Sequence, residues 1–133
     1  MKPVFADTSF YIALVNPTDI AFQQARQISK EHQGQVVTTD FVLIEVGNWM
    51  SRTGDREVFL SMLDRMQQEP ELTVVPCDRN LFEDGINLFR ARPDKDWSLT
   101  DCISFVVMKQ LGITAALTAD RHFEQAGFSV LLR

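Results

Sequence analysis

Apolar residues in this chain form short continuous runs that alternate with stretches where they recur every three or four positions, and the two patterns predict strands and helices in turn. Val4-Phe5-Ala6 reads as a buried strand, and Asp7-Thr8-Ser9 supplies side-chain acceptors that start a helix at Phe10. Asn16-Pro17-Thr18-Asp19 breaks the chain and caps an amphipathic helix over 20–31, with Ile20, Phe22, Ala25 and Ile28 expected inward and Gly34 closing the segment. β-Branched residues predict a strand over 35–39, after which Asp40 is placed to cap an apolar helix over 41–52. Past Gly54, a helix over 55–68 carries Val58, Phe59, Met62, Leu63 and Met66 at helical spacing, and Pro70 ends it before a strand over Leu72–Val75. Asp78 or Asn80 caps the next helix, with Leu81, Phe82, Ile86 and Phe89, which runs out in the loop Arg90-Ala91-Arg92-Pro93-Asp94-Lys95. Ser98 opens a helix over 98–111 that ends at Gly112, where a left-handed cap belongs. A strand over 113–119 then delivers the chain directly to Asp120. A short helix over 121–126 ends at Gly127, and residues 128–132 form the last strand.

Strands separated by helices, each strand almost continuously apolar, predict a parallel sheet covered on both faces. The expected architecture is a three-layer α/β/α domain with a central five-stranded parallel sheet. At 133 residues and 45% hydrophobic composition, the chain suits one core and is short for two, so residues 1–133 are expected to form a single domain. No repeat or low-complexity run is visible. The longest apolar stretches fall far short of the ~20 residues of a membrane-spanning helix, so no membrane partner is expected. Met1-Lys2-Pro3 leads into an apolar run without the pattern of an export signal, which predicts a cytoplasmic address with Cys77 and Cys102 reduced and buried.

Eighteen acidic and thirteen basic residues give a net charge of −5, which argues against binding nucleic acid as a non-specific basic coat. An RNA partner would have to be recognised locally.

Asp7 and Asp120 follow strands directly, where functional groups of open parallel sheets collect, and Asp101 lies in the first turn of a helix. Glu45 shares its helix face with Phe41, Val42, Asn48 and Trp49, a largely apolar stripe where a solvated glutamate is not expected. Each acid also has a plain structural explanation. Asp7 and Asp120 can cap helices, Asp101 with Ser98 fits a Ser-x-x-Asp capping box, and Glu45 can pair with a buried arginine. If the four converge, two charges ~5 Å apart repel by about 3 kcal/mol at an effective dielectric of 20, so protons or a divalent cation must offset them. All-carboxylate oxygen ligation suits Mg²⁺ or Mn²⁺, and with few, scattered histidines and cysteines zinc is not expected. Such a site can activate water and stabilise the charge that builds on a phosphodiester.

Asp7-Thr8-Ser9 after the first strand, Glu45 in the helix after the second, Trp97-Ser98-Leu99-Thr100-Asp101-Cys102 and Leu117-Thr118-Ala119-Asp120-Arg121-His122-Phe123 together resemble PIN-domain ribonucleases, and among them the VapC-like toxins of type II toxin–antitoxin pairs. The resemblance spans essentially the whole chain. It implies the parallel five-stranded sheet, a Mg²⁺ or Mn²⁺ site built from Asp7, Glu45, Asp101 and Asp120, and endonucleolytic cleavage of RNA. It also implies inhibition by a cognate antitoxin, and a homodimer. Thr8 and Thr118 are expected to orient the site.

Arg90, Arg92, Lys95 and Arg121 are candidates to meet RNA phosphates, against ordinary solvated charge as the alternative. His122 reads as a surface or helix-start residue, and Trp49, Trp97 and the phenylalanines as core. Two rival functions remain. An aspartyl-nucleophile phosphotransferase would want a second acid two residues after Asp7, where Ser9 stands. A non-catalytic acidic module that docks a basic peptide is the other.

Overall fold

A computed structural model describes residues 1–132. The chain runs β1 (Val4–Ala6), α1 (Thr8–Val15), α2 (Phe22–Glu31), β2 (Val36–Thr39), α3 (Asp40–Trp49), α4 (Asp55–Gln67), β3 (Leu72–Val75), α5 (Arg79–Ala91), α6 (Leu99–Leu111), β4 (Ala115–Leu117), α7 (Arg121–Gln125) and β5 (Ser129–Val130). All five strands pair in parallel, in the order β3-β2-β1-β4-β5, with helices covering the sheet in the expected three-layer arrangement. No helix among the described residues is long and apolar enough to cross a membrane.

Phe5, Ala6, Ala116 and Leu117 fill the middle of the sheet and are essentially buried. Beside them, Phe105 makes edge contacts with Trp97 and Phe123, at ring-centroid distances of 5.0 and 4.9 Å, and lies 5.7 Å from Phe128. Aromatic pairs of this geometry each add about 1 kcal/mol beyond the area they bury. Here they do positional work as well, because they join the middle of α6 to the segment that leads into it and to α7. Helix α6 is buried along most of its length and packs against α5, where Gly85 lets the two backbones approach Ile103 closely. It ends at Gly112 in the left-handed conformation (φ 69°) that the sequence predicts.

Several boundaries and orientations differ from the sequence expectations. Ile20 is fully exposed and not inward, because Asn16 and Asp19 fold residues 16–21 into a turn through their side-chain oxygens, and helical phase begins only at Phe22. Helix α1 starts at Thr8, two residues early, and α3 ends at Trp49, before Arg52. Thr39, not Asp40, caps α3, its hydroxyl accepting from Val42 N at 3.1 Å. Asp40 accepts from Cys77 N at 3.0 Å and ties α3 to the end of β3. Of the two candidate caps for α5, Asp78 serves, accepting from Leu81 N at 2.7 Å. The last two strands are shorter than their apolar runs. Trp49, Phe89 and Val58 are exposed at 52%, 49% and 41%, so periodic apolar spacing there marks the surface edge of a helix face rather than core. Cys102 is buried as expected but Cys77 is exposed, in the loop after the edge strand β3; both are free thiols.

Candidate active site

From the central strand β1, the next strand in the chain lies on one side while β4 lies on the other. The sheet therefore has its topological switch point between β1 and β4, and a crevice opens at their carboxyl ends. Asp7 N–H donates to Leu117 O at 3.2 Å, which draws the exit of β1 against the exit of β4 and brings Asp7 beside Thr118.

Asp7 occupies the cap position of α1 but makes no side-chain capping bond. Its carboxylate turns instead toward β4. Thr118 Oγ1 donates to Asp7 Oδ2 at 2.8 Å and accepts from Asp120 N at 3.0 Å. The Ser9 hydroxyl lies 3.0 Å from Thr118 Oγ1 and 3.5 Å from Asp7 Oδ2, either of which can take its proton, and it accepts from Ala119 N at 3.3 Å. Three hydroxyl and carboxylate side chains from opposite ends of the sequence thus form one satisfied buried network. The structural explanation of Asp7 as a simple helix cap fails.

Asp101 and Asp120 do cap. Ser98 and Asp101 complete a capping box, with Ser98 N donating to Asp101 Oδ2 at 3.1 Å and Asp101 N donating to Ser98 Oγ at 3.0 Å. Asp120 Oδ1 accepts from His122 N at 2.8 Å. These bonds fix both carboxylates at helix starts, with the same edge of the sheet between them. His122, read from sequence as peripheral, belongs to this group. Its Nδ1 lies 3.1 Å from Asp101 Oδ2 and 3.4 Å from Asp120 Oδ1. It stands in the first turn of α7, as the sequence predicts; its ring contact with Asp101 was not legible, because that direction is fixed only once Phe123 is anchored in the core.

Glu45 reaches the site from α3. It has no arginine partner among the described residues; Thr8 Oγ1 donates to its Oε1 at 2.6 Å. The stripe it shares with Trp49 and Asn48 is half open to solvent, so it is a site wall and not core.

Asp7, Glu45, Asp101 and Asp120 line one cavity of about 330 Å³, together with Thr8, Ser9, Ile12, Asp96, Ser98 and His122. Larger hollows of about 1000 and 460 Å³ lie on other faces and are mostly apolar, so volume alone would point away from the chemistry. Asp7 is 4% exposed, and burial first, with Asp101 and Glu45 nearby, pushes its pKa up to about 7 against the hydrogen bonds from Thr118 and Thr8. Burial also raises Asp101, opposed by its bonds to Ser98 and His122. The ligand atoms of Asp101, Asp120 and His122 all lie within 4.8 Å of one another; Asp7 and Glu45 line the same cavity but fall outside that tight group. Oxygen donors with a single imidazole suit a hard or borderline divalent ion, and no cysteine lines the cavity.

Ser9, Ile12, Asp96, Ser98 and His122 are the lining residues that the sequence did not mark as site members. Ser9 and His122 each stand two residues after an acid that ends a strand, the one signal that would have marked them. Of the basic candidates, Arg90, Arg92, Lys95 and Arg121 do not line the cavity. Arg92 forms a two-armed pair with Asp94, both contacts 2.9 Å, and its guanidinium sits 5.0 Å over the Trp97 ring. Arg90 reaches Asn87 at 3.4 Å.

The sequence profile of the PIN domain matches residues 4–129. The chain is 29% identical over 126 residues to the 23S rRNA-specific endonuclease VapC20 of Mycobacterium tuberculosis, covering 94% of this chain and 95% of that protein. The crystal structure of Mycobacterium tuberculosis VapC20, described as a Sarcin-Ricin loop cleaving toxin, superposes with a TM-score of 0.87 at 25% identity, covering 98% of this chain and 99% of that one. VapBC2 from Rickettsia felis, bound to a DNA fragment from its promoter, shares the fold at a TM-score of 0.68 and 12% identity over 97% of each chain. FitAcB from Neisseria gonorrhoeae does so at 0.67 and 14% over 96% of each chain. With the match running from β1 to β5 and the switch-point crevice in place, this chain belongs to the PIN domain family.

Proposed function

We propose that this chain is a divalent-cation-dependent endoribonuclease and the toxin half of a type II toxin–antitoxin pair. The observation that carries the reading is the gathering of Asp7, Glu45, Asp101 and Asp120 around one cavity at the β1–β4 switch point. Asp7, Glu45, Asp101 and Asp120 are the catalytic set, and Mg²⁺ or Mn²⁺ is the cofactor they would hold. A bound ion supplies an activated water and stabilises charge on the phosphodiester. The chain supplies the rest. Thr118 and Ser98 hold Asp7 and Asp101 in place, and Thr8 holds one oxygen of Glu45. The likeness to VapC20 supports structured ribosomal RNA as the substrate class. Lys95 and Arg121 are sequence neighbours of the lining residues Asp96, Asp120 and His122, and that adjacency supports a role for them in meeting RNA phosphates, which would give the acidic chain its local recognition.

Both expected protein partners, an inhibitory antitoxin and a second copy of this chain, need apolar surface. Exposed Ile44 and Leu60 line the groove between α3, α4 and β3, and Trp49 stands exposed on α3. A cytoplasmic address fits free thiols and an RNA substrate. The rival reading, an acidic module docking a basic peptide, is weakened by the depth of Asp7 and Asp101, which are 4% and 7% exposed.

The test is cleavage of ribosomal RNA by the purified chain with Mg²⁺ or Mn²⁺, with the cut ends mapped by sequencing. Discrete cuts that vanish with EDTA, and in folded Asp7→Asn and Asp101→Asn, are expected. Cutting that survives both substitutions removes the proposal.

A further inference from the structure

We propose that His122 is a nitrogen ligand of the site's cation and shifts the choice of ion from Mg²⁺ toward Mn²⁺ and Co²⁺; the inference rests on the nuclease reading above. Its Nδ1 faces two carboxylate oxygens at once, Asp101 Oδ2 at 3.1 Å and Asp120 Oδ1 at 3.4 Å. An octahedral ion with bonds of ~2.1 Å holds adjacent ligand atoms ~3.0 Å apart, so both separations are those of neighbouring ligands around one centre. All three atoms lie within 4.8 Å of one another, in the one such group found among the described residues.

The imidazole is not needed to place the acids. Asp101 Oδ2 is already held by Ser98 N, and Asp120 Oδ1 by the His122 backbone N–H. What the ring adds is a third donor aimed between them. Its own position is set by Phe123, which is fully buried against Phe5 and Phe105 and locks the first turn of α7. An imidazole also supplies a ligand atom without adding a sixth carboxylate to a cavity that already holds Asp7, Glu45, Asp101, Asp120 and Asp96.

Ion preference follows from ligand type. Mg²⁺ favours oxygen and gives up water reluctantly, whereas affinity for imidazole rises along the first-row series from Mn²⁺ to Co²⁺. An all-oxygen site would lack that bias.

The experiment is titration calorimetry of the metal-free full chain with MnCl₂, CoCl₂ and MgCl₂, beside pulsed EPR of the Mn²⁺ complex. The wild-type Mn²⁺ complex is expected to show ¹⁴N coupling that His122→Ala lacks. Co²⁺ affinity should fall about tenfold or more in His122→Ala, while Mg²⁺ affinity changes by less than about threefold. A wild-type complex without ¹⁴N coupling overturns the inference, and since that spectrum needs no variant, a misfolded substitution does not protect it. Equal losses for Co²⁺ and Mg²⁺ also overturn it, and make His122 a positioning group only. RNA cleavage separates the two readings: a chain that cuts RNA with Mg²⁺ but shows no nitrogen coupling sinks the His122 assignment alone, and a chain that binds none of the three ions sinks both.

Discussion

The Thr118 hydroxyl donates to Asp7 Oδ2 at 2.8 Å across 111 positions of sequence, joining the exit of β4 to the exit of β1. The Thr118 oxygen also accepts from Asp120 N, so a single side chain holds the carboxylate of one acid and the backbone of another. Thr118→Val keeps the shape and removes both bonds. A loss of about 1–3 kcal/mol in urea unfolding is expected from the stranded carboxylate and amide. Cation affinity should drop by about tenfold or more, as for other residues that orient metal ligands. Thr118→Ser should restore most of both.

Stability of the metal-free protein should fall as pH rises. Burial lifts Asp7 from 3.8 to about 7, so between those values the folded chain binds a proton that the unfolded chain has released. Protonation then favours folding below about pH 4, and the advantage is lost as pH climbs through 7, a swing of a few kcal/mol at about 1.4 kcal/mol per unit. Thermal unfolding in EDTA should therefore give a lower Tm at pH 8 than at pH 5. Asp7→Asn should flatten that trend. A Tm that rises with pH in EDTA would contradict the assignment.

On the proposed role of Asp7 as a ligand, a cation would compete with the Asp7 proton, so its stabilising effect should have the opposite pH dependence. Adding Mn²⁺ at pH 8 should raise Tm more than the same addition at pH 5, and hardly at all in Asp7→Asn. Scanning fluorimetry over a metal titration at both pH values measures it.

Gly85 lies so close to α6 that an added Cβ would stand 2.3 Å from Ile103 Cγ1. Gly85→Ala should cost about 1–3 kcal/mol through overpacking, in spite of a helix-propensity gain of about 1 kcal/mol. Combined with Ile103→Ala, the two changes should be clearly non-additive, because each removes the other's clash or void. Denaturant unfolding of the two single variants and the double variant decides it.

Cys77 is exposed while Cys102 is buried, so a thiol reagent should modify one cysteine in the folded chain and two after unfolding. Local desolvation, then the Asp40 and Asp78 charges, raise the Cys77 pKa. Its labelling at neutral pH should be slower than that of a free thiol and speed up as pH rises. Mass spectrometry of the labelled chain, in the native state and in denaturant, reads both effects.

Local pattern alone determined the element order of this protein. Apolar runs too short for helices, helical spacing between them, and stop signals at Pro70, Gly112 and Gly127 leave little choice but alternating strands and helices around a parallel sheet. The four acids were legible too, since two follow strands, one begins a helix and one interrupts an apolar face. Tertiary structure alone decided what each does. Asp7 stands where a cap belongs, yet bonds to Thr118 because β1 and β4 are neighbours, a pairing between segments more than a hundred residues apart. Glu45 was expected among the site acids, with a buried arginine pair as the plain alternative; no arginine pairs with it among the described residues, and Thr8 donates to it instead. His122 was set aside because nothing within a few residues fixes its ring; the anchoring of Phe123 beneath Phe105 turns it toward Asp101, twenty-one positions away. Propensity and periodicity act over a turn or two of chain, whereas the direction of a polar side chain is set by whichever distant groups the packed core brings within a hydrogen bond of it.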